Sequence, residues 1–211
     1  MPRSQKPNSD MLVAAWLNDE AGFEDVFDRY RKRLRRMVRL RMDHRLAGRI
    51  DADDVLQEAF LEAMNKLEDY RRRTDDLPMF LWLRLIVAEK LTDLHRVHLG
   101  AQMRDISREV SLYRGPMPEA SSAALAAQLM GSITSPSLAA VRAETKLRIQ
   151  EVLNRMDELD REVLTLRNFE QLSNSETARV LNITQQAASN RYVRALIRMK
   201  ETLRLIEEGL G

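Results

Sequence analysis

The 211-residue chain has no cysteine, which excludes disulfides, thiolate metal sites and cysteine nucleophiles and agrees with a reducing compartment. Glycine and proline are scarce, at seven and six, too few for the turns of a sandwich, a barrel or a doubly wound α/β enzyme. Aromatic residues make up only 5%. The three histidines, His44, His95 and His98, are too few for most catalytic constellations. His95 and His98 stand three apart, but no third ligand accompanies them, so they read as part of a polar helix face; no metal site, cofactor or catalytic residue is predicted. No apolar run approaches the roughly 18 residues of a membrane span, and the opening MPRSQKPNSD lacks the apolar stretch of a signal peptide. The expectation is a cytoplasmic protein without membrane insertion.

Hydrophobic residues make up 44% and charged residues 31%, with 34 Lys+Arg against 32 Asp+Glu. This balance predicts an all-α chain whose affinity for anions must come from local charge. Residues 29 to 41 hold eight basic side chains, Arg29, Arg31, Lys32, Arg33, Arg35, Arg36, Arg39 and Arg41. Acidic stretches follow, notably Asp51, Asp53, Asp54, Glu58 and Glu62. Alternation of basic and acidic faces suggests both an anionic partner and a protein partner.

Helical periodicity divides the chain. In 11–98, Phe23, Val26, Phe27, Tyr30, Leu34, Met37 and Val38 share one helix face and leave the arginines on the other. Asp51 can cap a second helix with apolar face Val55, Leu56, Ala59, Phe60, Ala63, Met64 and Leu67. Pro78 restarts the chain in a third, with Phe80, Trp82, Leu83, Ile86, Val87, Leu91, Leu94 and Val97. Residues 99–137 are broken by Gly100, Gly115, Pro116, Pro118, Gly131 and Pro136. They read as a flexible linker that can hold a short Ala-rich helix near 120–130. From 138 to 208 helical spacing returns, with Leu147, Val152, Leu153 and Met156 in one helix and Leu159, Val163, Leu164 and Leu166 in the next. The expected architecture is two small helical domains joined by a flexible linker.

The clearest local signal lies between Gln171 and Leu203. Ser173-Asn174-Ser175-Glu176 has the spacing of a capping box, Asn182 suits a left-handed turn, and Thr184 can cap a second helix. This is the pattern of a helix-turn-helix. In the second helix Ala188, Tyr192, Ala195, Leu196, Met199 and Leu203 share the expected core face. Gln186, Asn190 and Arg194 stand on the other, flanked by Arg191 and Arg198. Amides near the helix start can read base edges, and arginines further on suit phosphates.

Residues 155–203 (RMDELDREVLTLRNFEQLSNSETARVLNITQQAASNRYVRALIRMKETL) resemble the promoter-binding fourth region of bacterial extracytoplasmic-function, group 4, sigma factors. Residues 51–64 (DADDVLQEAFLEAM) resemble the second region of that family, and 80–96 (FLWLRLIVAEKLTDLHR) the helix that follows it. The resemblance implies a non-enzymatic subunit of RNA polymerase that directs promoter recognition and melting. Its first domain, 11–98, would dock on core polymerase through Asp53, Asp54, Gln57 and Glu58. It would engage the single-stranded minus-ten element through the loop from Tyr70 to Met79 and through Trp82, Arg84, Glu89, Lys90, Asp93 and Arg96, a basic groove with an aromatic platform. Its last domain, 138–208, would hold the duplex minus-thirty-five element through Thr184, Gln185, Gln186, Ser189, Asn190, Arg191, Arg194 and Arg198, while its apolar side meets the polymerase flap. Many members are held by an anti-sigma protein, so such an inhibitor is a further expected partner. The sequence departs from the family at Glu89, where Asn is usual, at Asn182, where Gly is usual, and at Ala188, where Val is common. The segment EVLTLRNFEQLSNSETARVLNIT also resembles the LuxR-like helix-turn-helix, the alternative reading, although residues 1–140 lack the strand-rich domain that class would need.

Overall fold

A computed structural model describes residues 20–46, 48–72, 77–99, 117–131 and 139–208. Among these the chain forms α1 (Glu20–Arg41), α2 (Ala52–Arg71), α3 (Met79–Leu99), α4 (Ser122–Gly131), α5 (Ala139–Arg155), α6 (Glu158–Leu164), a π-helical turn (Thr165–Phe169), α7 (Asn174–Leu181) and α8 (Gln185–Glu208). No described helix is long and apolar enough to cross a membrane. The fold is all-α, with two helical regions, as the sequence predicts.

The first three helices build one core from the expected stripes. Phe23, Val26, Phe27, Leu34, Met37 and Val38 are buried against Val55, Leu56, Ala59, Ala63 and Leu67 of α2 and Leu81, Leu83, Ile86, Val87 and Leu91 of α3. Phe60 stacks on Phe23 at 5.7 Å and meets the edge of Phe27 at 5.1 Å. Asp51 caps α2 by accepting the amides of Asp53 and Asp54. Tyr70 donates to the Leu77 carbonyl at 2.8 Å and so pins the start of α3.

A second core joins Leu125 and Ala126 of α4, Ile149 and Leu153 of α5, Leu164 of α6, Phe169, and Ala195 and Met199 of α8. The expectation of a flexible linker fails for its described part: 117–131 is packed. The Ala-rich helix is present, Leu125 and Ala126 lie at 0% exposure, and the Ser121 amide donates to the Leu40 carbonyl of α1 at 2.9 Å. Small side chains let α4 lie close on α5, so few large apolar residues suffice. Residues 100–116 and 132–138 lie outside the described residues.

The two cores interlock. Leu40 of α1 belongs to the second, while Val163, Leu166, Leu172, Val180 and Leu181 pack into the first. Three residues assigned to the core by spacing are instead exposed: Val97 at 71%, Leu147 at 65% and Leu196 at 40%. Helical spacing predicts which side chains share a face, but not where the neighbouring helix stops covering it. His95 departs the other way. It is buried and its Nε2 accepts the Asp43 amide at 3.2 Å, so it is no part of a polar surface. Burial first, then the Arg45 charge, lowers its pKa against the opposing pull of Asp43.

Candidate nucleic-acid interface

The helix-turn-helix forms from its local chemistry. The Ser173 hydroxyl accepts the Glu176 amide at 3.2 Å, and the Glu176 carboxylate accepts the Ser173 amide at 2.6 Å, closing the capping box of α7. Asn182 ends α7 at φ 52 and ψ 46, the left-handed geometry that glycine or asparagine tolerates best. The Thr184 hydroxyl accepts the Ala187 amide at 3.1 Å, and the Asn174 side chain donates to the Gln185 carbonyl at 2.9 Å. These bonds set the angle between α7 and α8.

On α8, Ala188, Ala195 and Met199 are buried and Tyr192 is half-buried, its hydroxyl donating to Asn168 at 2.8 Å. Thr184, Gln185, Gln186, Asn190, Arg194 and Arg198 are exposed, and Ser189 is half-buried. The Gln186 amide donates to the Asn190 side-chain oxygen at 3.0 Å, so the two amides stand as one exposed pair a turn apart. Arg191 is committed elsewhere: it bonds Asp157 at 3.0 Å and Asp160 at 2.8 Å, tying α8 to the start of α6. Arg194 reaches Asp160 at 3.3 Å with more than half its side chain in solvent.

The residues expected to engage a melted strand divide into two groups. Glu89, Lys90, Asp93 and Arg96 lie along the outer side of α3, Glu89, Asp93 and Arg96 exposed and Lys90 half-buried. Lys66 bonds Glu62 at 3.0 Å and Glu89 at 3.5 Å, and Lys90 bonds Glu62 at 3.3 Å. Glu89 therefore neutralises Lys66 across the helix pair, and not Lys90 or Arg84. Trp82 and Arg84 are not on this surface. Trp82 is 5% exposed and stacks on Tyr70 at 4.4 Å, while Arg84 is fully buried. The expectation that both lie on an exposed face is corrected: Trp82 is covered by Tyr70 and Phe23 of its own region, and Arg84 by Glu170, a contact with no local sequence signal. Of the Tyr70–Met79 loop, 73–76 lies outside the described residues.

On α2, Gln57 and Glu58 are exposed and make an acidic-amide face with Asp54. Asp53 bonds Arg35 of α1 at 2.9 Å. Asp54 accepts the Asp51 amide at 2.8 Å, so its carboxylate belongs to the helix cap as well as to the surface. Leu61, 57% exposed, continues this face one turn on; its place off the apolar stripe of α2 was a signal available in the sequence.

What sequence reasoning missed is the set of contacts joining the two regions, with Glu162 and Glu170 as partners of arginines it had assigned to the surface. Arg41 bonds Glu162 at 2.6 Å and Glu170 at 2.6 Å, and Arg84 bonds Glu170 at 2.8 Å. All four side chains are buried. Burial alone would raise the Glu170 carboxyl, but the charges of Arg41 and Arg84 and their hydrogen bonds hold it down at about 2. Burial would lower the Arg41 guanidinium, and the two carboxylates outweigh it. Arg33 and Arg36 of the same basic run donate to the carbonyls of Glu170, Gln171 and Phe169 at 3.2, 2.9 and 3.2 Å. Part of the basic face of α1 is thus spent inside the molecule.

The family model for Sigma-70 region 2 matches residues 26–96, and that for Sigma-70, region 4 matches 146–199. Together they cover more than half of the chain. The extracytoplasmic-function sigma factor SigM of Mycobacterium tuberculosis is 25% identical over 99% of this chain and 91% of its own length. SigD of Mycobacterium bovis is 29% identical over 92% and 83%. The structure of CnrH in complex with the cytosolic domain of CnrY matches 92% of this chain and 96% of that one, with a TM-score of 0.51 and 22% identity, a likeness of fold. The LuxR-like alternative has no support in these matches. With its two matched regions in order along the chain, the second holding the helix-turn-helix described above, the chain belongs to the extracytoplasmic-function sigma factors and serves transcription initiation with RNA polymerase and promoter DNA.

Proposed function

We infer that this sigma factor divides its work among three surfaces, as a cytoplasmic, non-enzymatic subunit that borrows the chemistry of polymerase. The domains span 11–98 and 138–208, with 99–137 connecting them. The exposed Gln186–Asn190 pair at the start of α8 is the observation that carries the reading. It sits where a recognition helix enters the major groove, with amide donors and acceptors turned to solvent. Thr184, Gln185 and Ser189 flank it, and Arg194 and Arg198 lie further along the helix, toward phosphates. Glu89, Lys90, Asp93 and Arg96 face the minus-ten strand.

Docking on core polymerase falls to Gln57 and Glu58 with Asp53 and Asp54. These groups lie off the buried stripe of α2 and complement a basic partner. An anti-sigma protein is a further proposed partner, on the precedent of the CnrH–CnrY complex.

Run-off transcription with purified core polymerase tests the whole reading. The chain is expected to bind core and to start transcripts at a defined site. Gln57→Ala with Glu58→Ala should weaken capture of core, each lost contact costing about 1 to 3 kcal/mol, with unchanged helical circular dichroism. Undiminished capture retires the docking assignment.

A further inference from the structure

Four charged side chains from opposite ends of the sequence meet out of contact with water. Arg41 closes α1, Arg84 lies within α3, Glu162 within α6, and Glu170 follows the π-helical turn. Glu170 is the hub: one carboxylate oxygen accepts from Arg41 Nε at 2.9 Å and Nη2 at 2.6 Å, the other from Arg84 Nε at 2.8 Å. Glu162 takes Arg41 from a second side, and Arg41 Nη1 also donates to the Pro118 carbonyl at 3.0 Å, bringing in the connecting segment. The quartet is neutral in sum. Each region contributes one sign only, so neither can satisfy its share alone.

The extra residue in the π-helical turn builds the contact. The Glu170 amide reaches back five residues to the Thr165 carbonyl at 3.0 Å, and Gln171 then takes φ 60. This arrangement turns the Glu170 carboxylate inward and presents consecutive carbonyls to Arg33 and Arg36 on the rim. Such turns concentrate where function outweighs regular helical bonding.

The seal is incomplete. Nη1 and Nη2 of Arg84 are buried without a hydrogen-bond partner. Buried ion pairs roughly break even against solvated charges, and unpartnered donors weigh against burial. A closure made this way is finely balanced, and a ligand that prefers the open form can displace it. When the regions part, the freed arginines, Arg84 among them, become groups that favour phosphate.

We propose that the Arg41–Glu162–Glu170–Arg84 quartet is a latch that holds the two regions closed and withdraws Arg84 and neighbouring α1 arginines from nucleic acid until it opens. The latch rests on the sigma-factor reading only for what closure withholds.

The test uses the full chain. Because it has no cysteine, Glu68→Cys on α2 and Lys200→Cys on α8 give two unique dye sites, and energy transfer reports their separation. The unmutated network should show a dominant short distance. Glu170→Gln should shift the population to longer distances. It should also raise affinity for a short fluorescent single strand of mixed sequence by about tenfold, the factor gained when an open fraction of about one-tenth becomes nearly complete. Should Glu170→Gln lose helical circular dichroism, Arg33→Ala with Arg36→Ala decides: these rim contacts are only half-buried, and their loss should lengthen the distance part-way. Unchanged distances in folded variants overturn the latch, and a longer distance with unchanged strand affinity overturns the masking. Run-off transcription by the wild-type chain is scored separately. A chain that starts transcripts yet never changes its distance loses the latch alone, and one that opens but starts none loses the assignment of its DNA surfaces.

Discussion

Glu170 accepts from guanidinium groups of two helices that lie 86 and 129 residues away in sequence. Its carboxyl is held at about 2, below the 4.5 of a free glutamate. A depressed carboxyl stabilises the closed fold fully above pH 4.5, and that contribution is lost as pH falls toward 2. Acid titration of the inter-dye distance should therefore show opening in this window, and Glu170→Gln should remove the dependence. His95 acts at milder acidity. Its lowered pKa means that the folded chain holds it neutral, so stability is expected to decline as pH falls below the ordinary 6.5. Urea melts between pH 7.5 and 5.5 would show this, and His95→Gln should flatten the curve. On α8, Asn190→Ala should cost about 1 to 3 kcal/mol at one base pair and relax preference there. Arg194→Ala should weaken binding to every duplex alike and reduce the salt slope by roughly one. Duplex variants at several salt concentrations separate the two. If Asn190→Ala lowers affinity uniformly while Arg194→Ala alters base preference, the roles are reversed.

The helices depend on their ends. Ser173 and Glu176 satisfy each other's amides at the start of α7, and Ser173→Ala is expected to cost about 1 kcal/mol of stability, measured by urea unfolding. The loss should also loosen the angle between α7 and α8 and so lower duplex affinity. Asp51 and Asp54 close the same kind of box on α2, so Asp54→Ala would disturb the helix as well as a docking surface. Gln57 and Glu58 are the cleaner probes. The Ser173 box and the Asp51 cap were legible in the sequence because a cap is made within four residues, while the return bond of Asp54 to the Asp51 amide came from the structure. The π-helical turn was not: its register answers to Glu170 and the arginines of α1, which no local window contains.

Each core borrows from the other region, and that couples them across the whole molecule. Leu40 lies on α1 yet is 1% exposed among Leu125, Ile149 and Leu153. Leu40→Ala is expected to cost about 2 to 5 kcal/mol and to lower hydrogen-exchange protection in α5 and α8 while sparing α2. Equal loss in α2 would mean that the two cores unfold as one unit.

What the sequence determined by itself was short-range: the helical character, the stripes of α1 and α2, the Ser173 capping box and the Asp51 cap, the left-handed Asn182 and the amide face of α8. Each depends on neighbours within one or two turns, where chain connectivity already fixes the distance. Tertiary structure decided which polar groups are buried. Arg41 and Arg39 belong to one basic run, yet Arg41 is 2% exposed and Arg39 lies in solvent. The difference is that burying a charge is favourable only beside a partner, and Arg41 finds its partners more than 120 residues away. The same long-range packing took Trp82 and Arg84 from the surface and left Val97, Leu147 and Leu196 on it. Helical periodicity names a face, and only the assembled neighbours supply its cover.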